Sequence, residues 1–176
     1  MPPPDGPGLP VVAVSAREDA RDVLILPEGR SEPDVSLPLG SASQRRRLQL
    51  ATIFPEWRTE PIRGNLQTRL RKLDEGLFGG IVLAAAGVRR LGLWDRVSRV
   101  FAPGEILPAA CQGILAIQGR AGEDHSYLDG LDDVDARDAS IAERAFIETL
   151  EGGCSAPTAA YAVIDGGILS LSGLHV

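Results

Sequence analysis

The run Arg63-Gly-Asn-Leu-Gln-Thr-Arg-Leu-Arg-Lys-Leu-Asp-Glu-Gly-Leu-Phe-Gly-Gly-Ile-Val-Leu-Ala-Ala-Ala86 decides the fold class. Arg63-Gly-Asn65 reads as a turn. Leu66, Leu70 and Leu73 then fall at i, i+4 and i+7, one face of a helix, and Gly76 supplies the stop. Ile81 to Ala86 is wholly apolar, which predicts a central strand buried on both faces. Gly87 is read as its end, with a short helix carrying Arg89 and Arg90 behind it.

The same alternation extends in both directions. Gly40-Ser-Ala-Ser43 offers small residues and an N-cap before a helix over Gln44 to Phe54, with Leu48, Ala51 and Ile53 inward. Pro61-Ile62 reads as a short extended piece. Val11–Val14 and Val23–Leu26 are β-branched apolar runs, each a buried strand, and Pro27–Pro38 is a surface connection. Downstream, Ile114–Ile117 suggests a strand and Asp129–Asp135 an acidic, solvated connector. Ala136–Glu151 predicts a long helix with an apolar stripe of Ile141, Ala142, Ala145, Phe146 and Leu150. Tyr161–Ile164, Asp165-Gly-Gly167 and Ile168–Leu174 spell a β-hairpin. Strands alternating with helices imply an α/β sheet with helices on its faces.

Composition narrows the function classes. The 176 residues are 44% hydrophobic and 24% charged, which excludes collagen-like and coiled-coil chains and argues against wholesale disorder. The longest apolar run, Gly80–Val88, falls short of the roughly 20 residues of a membrane helix. Met1-Pro-Pro-Pro-Asp-Gly6 lacks the regions of a signal peptide, so a cytoplasmic location is expected, with no membrane partner. Cys111 and Cys154 are too few for a disulfide scaffold, and no metal site is expected.

The net charge of -6 hides a sharp partition. Residues 39–100 carry eleven Arg and one Lys against five acids, whereas 1–38 carry three Arg against seven acids and 101–176 three Arg against twelve. Arg grips carboxylate or phosphate through a planar fork, which Lys cannot do. Three Arg clusters follow small or turn residues: Ser43 before Arg45, Arg46 and Arg47; Gly64 and Asn65 between Arg63 and Arg69; Gly87 before Arg89 and Arg90. In an open α/β sheet, strand–turn–helix units bring such turns to the carboxyl edge, where helix N-termini face a ligand. The expected ligand carries several carboxylates or phosphates. Nucleic acid is disfavoured by the overall acidity and by the lack of interleaved aromatics for base stacking. Arg71, Lys72, Arg96 and Arg99 read as solvent-facing. Cys154 follows Gly152-Gly153 after a helix end, where the dipole disfavours thiolate, so it suits a permanent covalent anchor better than a redox role.

Five segments carry a family resemblance: Gly40-Ser-Ala-Ser-Gln-Arg-Arg46, Ile62-Arg-Gly-Asn-Leu-Gln-Thr-Arg-Leu70, Leu83-Ala-Ala-Ala-Gly-Val-Arg-Arg-Leu-Gly-Leu93, Leu107-Pro-Ala-Ala-Cys-Gln-Gly113, and Ala142-Glu-Arg-Ala-Phe146 with Leu150-Glu-Gly-Gly-Cys154. Together with Arg17-Glu-Asp-Ala-Arg-Asp22, they resemble the porphobilinogen deaminase (hydroxymethylbilane synthase) family in order over nearly the whole chain. The resemblance implies a transferase of tetrapyrrole biosynthesis that joins four porphobilinogen molecules into hydroxymethylbilane and releases ammonia. It implies a dipyrromethane cofactor held by a thioether to Cys154. It implies that Ser43, Arg45, Arg46, Arg63, Arg69 and Arg90 bind cofactor or substrate carboxylates, while Gly64, Asn65, Gly87 and Gln112 shape the cleft. It also implies a monomer.

By the same resemblance, residues 21–107 form a near-complete second domain, a lobe like those of periplasmic binding proteins. Residues 1–20 and 108–131 are remnants of a first domain, and 132–176 are part of an α+β third domain. The family's His-Ser-x-Lys-Asp-x-Pro stretch, which holds its catalytic Asp, does not occur in this sequence. No catalytic residue is therefore assigned, and Asp129, Asp132, Asp133 and Asp135 are read as a connector. The expectation is a chain truncated at both ends, marginally stable, with apolar surface exposed. The alternative reading is a non-enzymatic module for polycarboxylates or tetrapyrroles. Cys111, Gln44 and Ala159-Ala160 depart from the family pattern.

Overall fold

The computed structural model of the chain describes residues 8–150 and 157–175. Its strands are β1 (Val11–Val14), β2 (Asp22–Ile25), β3 (Leu39–Gly40), β4 (Thr59–Glu60), β5 (Gly80–Ala84), β6 (Val97–Val100), β7 (Ala116–Gln118), β8 (Ala159–Asp165) and β9 (Ile168–Leu174). Its helices are α1 (Gln44–Ile53), α2 (Leu66–Asp74), α3 (Ala85–Arg90) and α4 (Val134–Thr149). This is an α/β arrangement.

The central sheet has the order β4-β3-β5-β2-β6. Strands β3, β4 and β5 are mutually parallel, and β2 runs antiparallel to both β5 and β6. Alternate residues of β2 and β5 feed two cores. Val23, Ile25, Ile81 and Leu83 pack with Leu70, Leu73 and Val88 from α2 and α3. Leu24, Leu26, Val82 and Leu39 pack with Leu50 of α1, Trp57, Phe101 and Ile106 on the other face. Each fully buried aliphatic side chain contributes about 1.5–3 kcal/mol, so these strands are fixed by burial from both sides. Strand β5 is the expected central strand.

Several boundaries differ from the sequence reading. The strand ends at Ala84, and Ala85, Ala86 and Gly87 already belong to α3. Alanine has no β-branch to favour the pleat and the best intrinsic helix propensity, so the Ala run turns helical. The extended piece lies at Thr59–Glu60 rather than Pro61-Ile62, because only there do backbone groups pair with β3. On α1 the inward positions are Arg45, Leu50 and, as expected, Ile53, while Leu48 and Ala51 are exposed.

Strands β1 and β7 form a separate antiparallel pair. Two backbone segments connect it to the central sheet, and they run alongside each other. Ser15 N donates to Leu115 O and Glu18 N to Gly113 O, both at 2.9 Å. The hairpin β8–β9 turns at Gly166 and Gly167, both with positive φ, and packs on α4. Helix α4 buries only part of the expected stripe. Ala142, Phe146 and Leu150 are half-buried, Ile141 and Ala145 are exposed, and the fully buried positions are Ala136, Ala139 and Glu143. Asp133 caps this helix through Ala136 N, and Asp132 pairs with Arg137 and accepts from Val14 N. Two members of the acidic connector are thus structural. Leu9 and Leu115, beside the β1–β7 pair, and Val134, Ile141 and Ile168 are large exposed apolar side chains.

Candidate functional site

Because β3, β4 and β5 are parallel, their carboxyl ends lie along one edge of the sheet. Each is followed by a helix. Two of those helices begin with side-chain caps, the first of them predicted: Ser43 Oγ accepts from Arg46 N, and Asn65 Oδ1 accepts from Thr68 N at 2.8 Å. Satisfying one donor in each first turn leaves the remaining N–H groups of α1 and α2 at this edge. Gly64, with φ of 119°, makes the turn into α2, and a side chain there would collide with Thr68.

The densest polar cluster sits between α1 and the two connecting segments. Arg45 Nη2 donates to Asp22 Oδ2 at 2.8 Å, and Arg46 Nη2 donates to Asp22 Oδ1 at 2.8 Å. Gln112 Nε2 donates to Asp22 Oδ1 and to Ala20 O, while its Oε1 accepts from both arginines at 3.4 Å. Arg45 Nη1 also reaches Leu107 O. Burial pushes the Asp22 carboxyl up, but the Arg46 and Arg45 guanidiniums outweigh it and hold it below the usual carboxylate range. One acid against two guanidiniums leaves the cluster cationic.

Arg69, half-buried on α2, donates through Nε to Gly64 O and has no carboxylate partner among the described residues. Burial, and then the charge of Arg46, lower its pKa. Two guanidiniums therefore feel each other's charge at this edge. Arg45 Nε, Arg46 Nε and Arg47 Nε are buried without a hydrogen-bond partner among the described residues. Orphaned cationic donors of this kind suit a ligand bearing several carboxylates.

Other expected site residues stand further out. Arg63 and Arg90 are exposed and form no ion pair among the described residues. Gly87 lies within α3, where an added side chain would touch Leu66 at an ordinary distance. Arg89 is held structurally, stacked 3.7 Å over Trp94 and 3.6 Å from Asp19. Cys154 lies outside the described residues. Sequence reasoning missed Asp22; its signal was an acid at the mouth of an apolar strand, where a charge must have a partner.

Comparison with known proteins follows the same lines. Residues 1–128 match the family model described as porphobilinogen deaminase, dipyromethane cofactor binding domain, and residues 138–176 match that described as porphobilinogen deaminase, C-terminal domain. The chain is 56% identical over 168 residues to the porphobilinogen deaminase of Alkaliphilus oremlandii, covering 96% of this chain and 57% of that protein. It is 54% identical to that of Acetivibrio thermocellus, with 96% and 58% covered. Identity is 44% with that of Chromobacterium violaceum, with 95% and 55% covered. The chain thus spans somewhat more than half the length of these relatives.

Proposed function

From the premise that this chain belongs to the porphobilinogen deaminase family, we propose that it acts in the assembly of hydroxymethylbilane from four porphobilinogen molecules, with loss of ammonia. A dipyrromethane cofactor joined to Cys154 supplies, when bound, the primer to which the units are added. The observation that carries this reading is the cationic edge, where Arg45 and Arg46 share the single acid Asp22 and Arg69 has no carboxylate partner among the described residues. Every pyrrole unit of such a chain bears an acetate and a propionate, so the ligand grows more anionic with each addition.

The residues divide the work. Arg46, Arg69, Arg63 and Arg90 take ligand carboxylates, Ser43 and Asn65 keep two helix N-termini open towards them, and Arg45 with Gln112 fixes the floor. Gly64 and Gly87 shape the cleft. Residues 21–107 form a lobe like those of periplasmic binding proteins, 1–20 and 108–131 belong to a first domain, and 132–176 to an α+β third. The protein works as a cytoplasmic monomer on a small-molecule substrate, without nucleic acid or membrane.

A second reading, reversible binding of polycarboxylates without turnover, is favoured by one observation. The acid nearest the cluster, Asp22, is fully buried and committed to two arginines, so it is no proton donor. Intact-mass measurement of the protein expressed in a porphobilinogen-producing host separates the readings. The first expects a two-pyrrole adduct that disappears in Cys154→Ala, and ammonia release on adding porphobilinogen. Saturable polycarboxylate binding by protein whose Cys154 stays unmodified would replace it by the second.

A further inference from the structure

The side chain that joins Arg45 to Arg46 cannot itself meet a ligand, because Asp22 has no exposed surface. Both of its oxygens are engaged, Oδ2 by Arg45 and Oδ1 by Arg46 and Gln112. These contacts come from three separate places in the chain: the start of β2, the first turn of α1 and the turn that holds Gln112. Resting on the carboxylate-binding reading above, we propose that Asp22 is a positioning residue that acts through Arg46, fixing the plane of its guanidinium for ligand carboxylates.

The geometry argues as follows. A guanidinium is planar, so pinning Nη2 while the helix holds the stem leaves little freedom for the remaining edge. Arg46 Nη2 is pinned by Asp22 at 2.8 Å and by Gln112 Oε1 at 3.4 Å, and its side chain is 11% exposed. Its Nη1 has no partner among the described residues, and its Nε is buried and unbonded. Held in one orientation, the free Nη1 group meets a ligand carboxylate without first losing rotamer freedom. Asp22 has a second effect. Arg45 and Arg46 are neighbours in a poorly solvated place, and without a shared counter-charge they would repel each other apart.

Position and charge give opposite signs, which makes the proposal testable. Asp22→Asn raises the local positive charge by one, so field strength alone would tighten anion binding. Loss of positioning weakens it. The experiment uses the whole 176-residue chain and the probe 1,2,3,4-butanetetracarboxylate. Calorimetric titration at low salt gives the affinity, with circular dichroism to establish folding. Asp22→Asn is expected to weaken binding about tenfold, as loss of a well-aligned charge-assisted contact does. Asp22→Glu keeps the charge that Arg45 needs while displacing the carboxylate, and it carries the test if the Asn variant does not fold. In an Arg46→Lys background, where no planar fork remains, either Asp22 substitution is expected to change affinity less than about threefold. Unchanged or tighter binding in the Asp22 variants would overturn the proposal. So would equal weakening in both backgrounds, which is what a merely structural role gives. Wild-type protein that fails to bind the probe would remove the carboxylate reading, and this proposal with it.

Discussion

Arg17 Nη2 stands 2.8 Å from Glu143 Oε1, and the carboxylate it meets is fully buried. Glu143 also accepts from Cys111 N at 2.6 Å and Ala162 N at 2.7 Å, so one side chain joins α4, β8 and both connecting segments. Removing the carboxylate would strand a buried guanidinium and two backbone N–H groups. Glu143→Ala is expected to cost about 3–5 kcal/mol of stability, and Glu143→Gln, which keeps the shape, distinctly less. Urea denaturation followed by circular dichroism measures both. A loss of less than about 1 kcal/mol in the Ala variant would contradict the clasp.

Cys111 sits at φ of 60°, in the left-handed region that costs a side chain about 1 kcal/mol. Cys111→Gly relieves that strain and forfeits a partly buried thiol. The expected net result is a gain of up to about 1 kcal/mol, read as a higher midpoint at unchanged slope in the same urea experiment.

The Cys111 thiol also has a pH signature. Burial, then the charge of Glu143, push its pKa up to about 11 from an ordinary value of 9.0. The folded state holds its proton more tightly than the unfolded state. The associated stability is therefore complete below pH 9 and is lost as pH rises towards 11. In a Cys154→Ala background, iodoacetamide labelling is expected to stay slow at pH 8 and accelerate steeply above pH 10. Fast labelling of folded protein at pH 8 would refute the assignment.

Acid has the reverse effect at Asp22. Its carboxyl is held below the unfolded value of about 3.9, so the stabilisation is present above that value. It disappears as pH falls through the lower folded value. An acid titration by circular dichroism is expected to stay flat to about pH 4 and fall below it, and to be shallower in Asp22→Asn. A transition beginning above pH 5 would point to other groups.

Gly113 has φ of 88°, and a Cβ there would lie 2.3 Å from Glu18 O, a backbone atom of the residue whose N donates to Gly113 O. Gly113→Ala combines backbone strain with a clash that no side-chain rotation relieves. A loss of about 3 kcal/mol or more is expected, measured by chemical denaturation. Gly29→Ala, also at positive φ but facing open space, is the control and should cost less.

What the sequence made legible follows from local rules. The turn Arg63-Gly-Asn65 before Leu66, Leu70 and Leu73 is followed by a 3.6-residue period, and α2 begins and packs as that pattern requires. Gly166 and Gly167 between two seven-residue strands mark the hairpin turn. The failures share a different cause. Ile141 is apolar yet exposed, and Glu143 is charged yet buried, because the face α4 turns inward is chosen by Arg17, Cys111 and Ala162, each distant in sequence. Likewise the Arg45–Arg46 pair was recognisable as anion-binding, but the acid that already occupies it comes from a strand that precedes α1 by some twenty residues. Pairings between remote charges leave no periodic trace.

The twin backbone segments, laced by Ser15 to Leu115 and by Glu18 to Gly113, have a mechanical corollary. A body hung on two parallel straps can swing about the line joining them, but sliding or corkscrewing would shear the lacing. The Asp22 and Glu143 clusters grip those straps at either side, so any swing about that line would have to strain both grips.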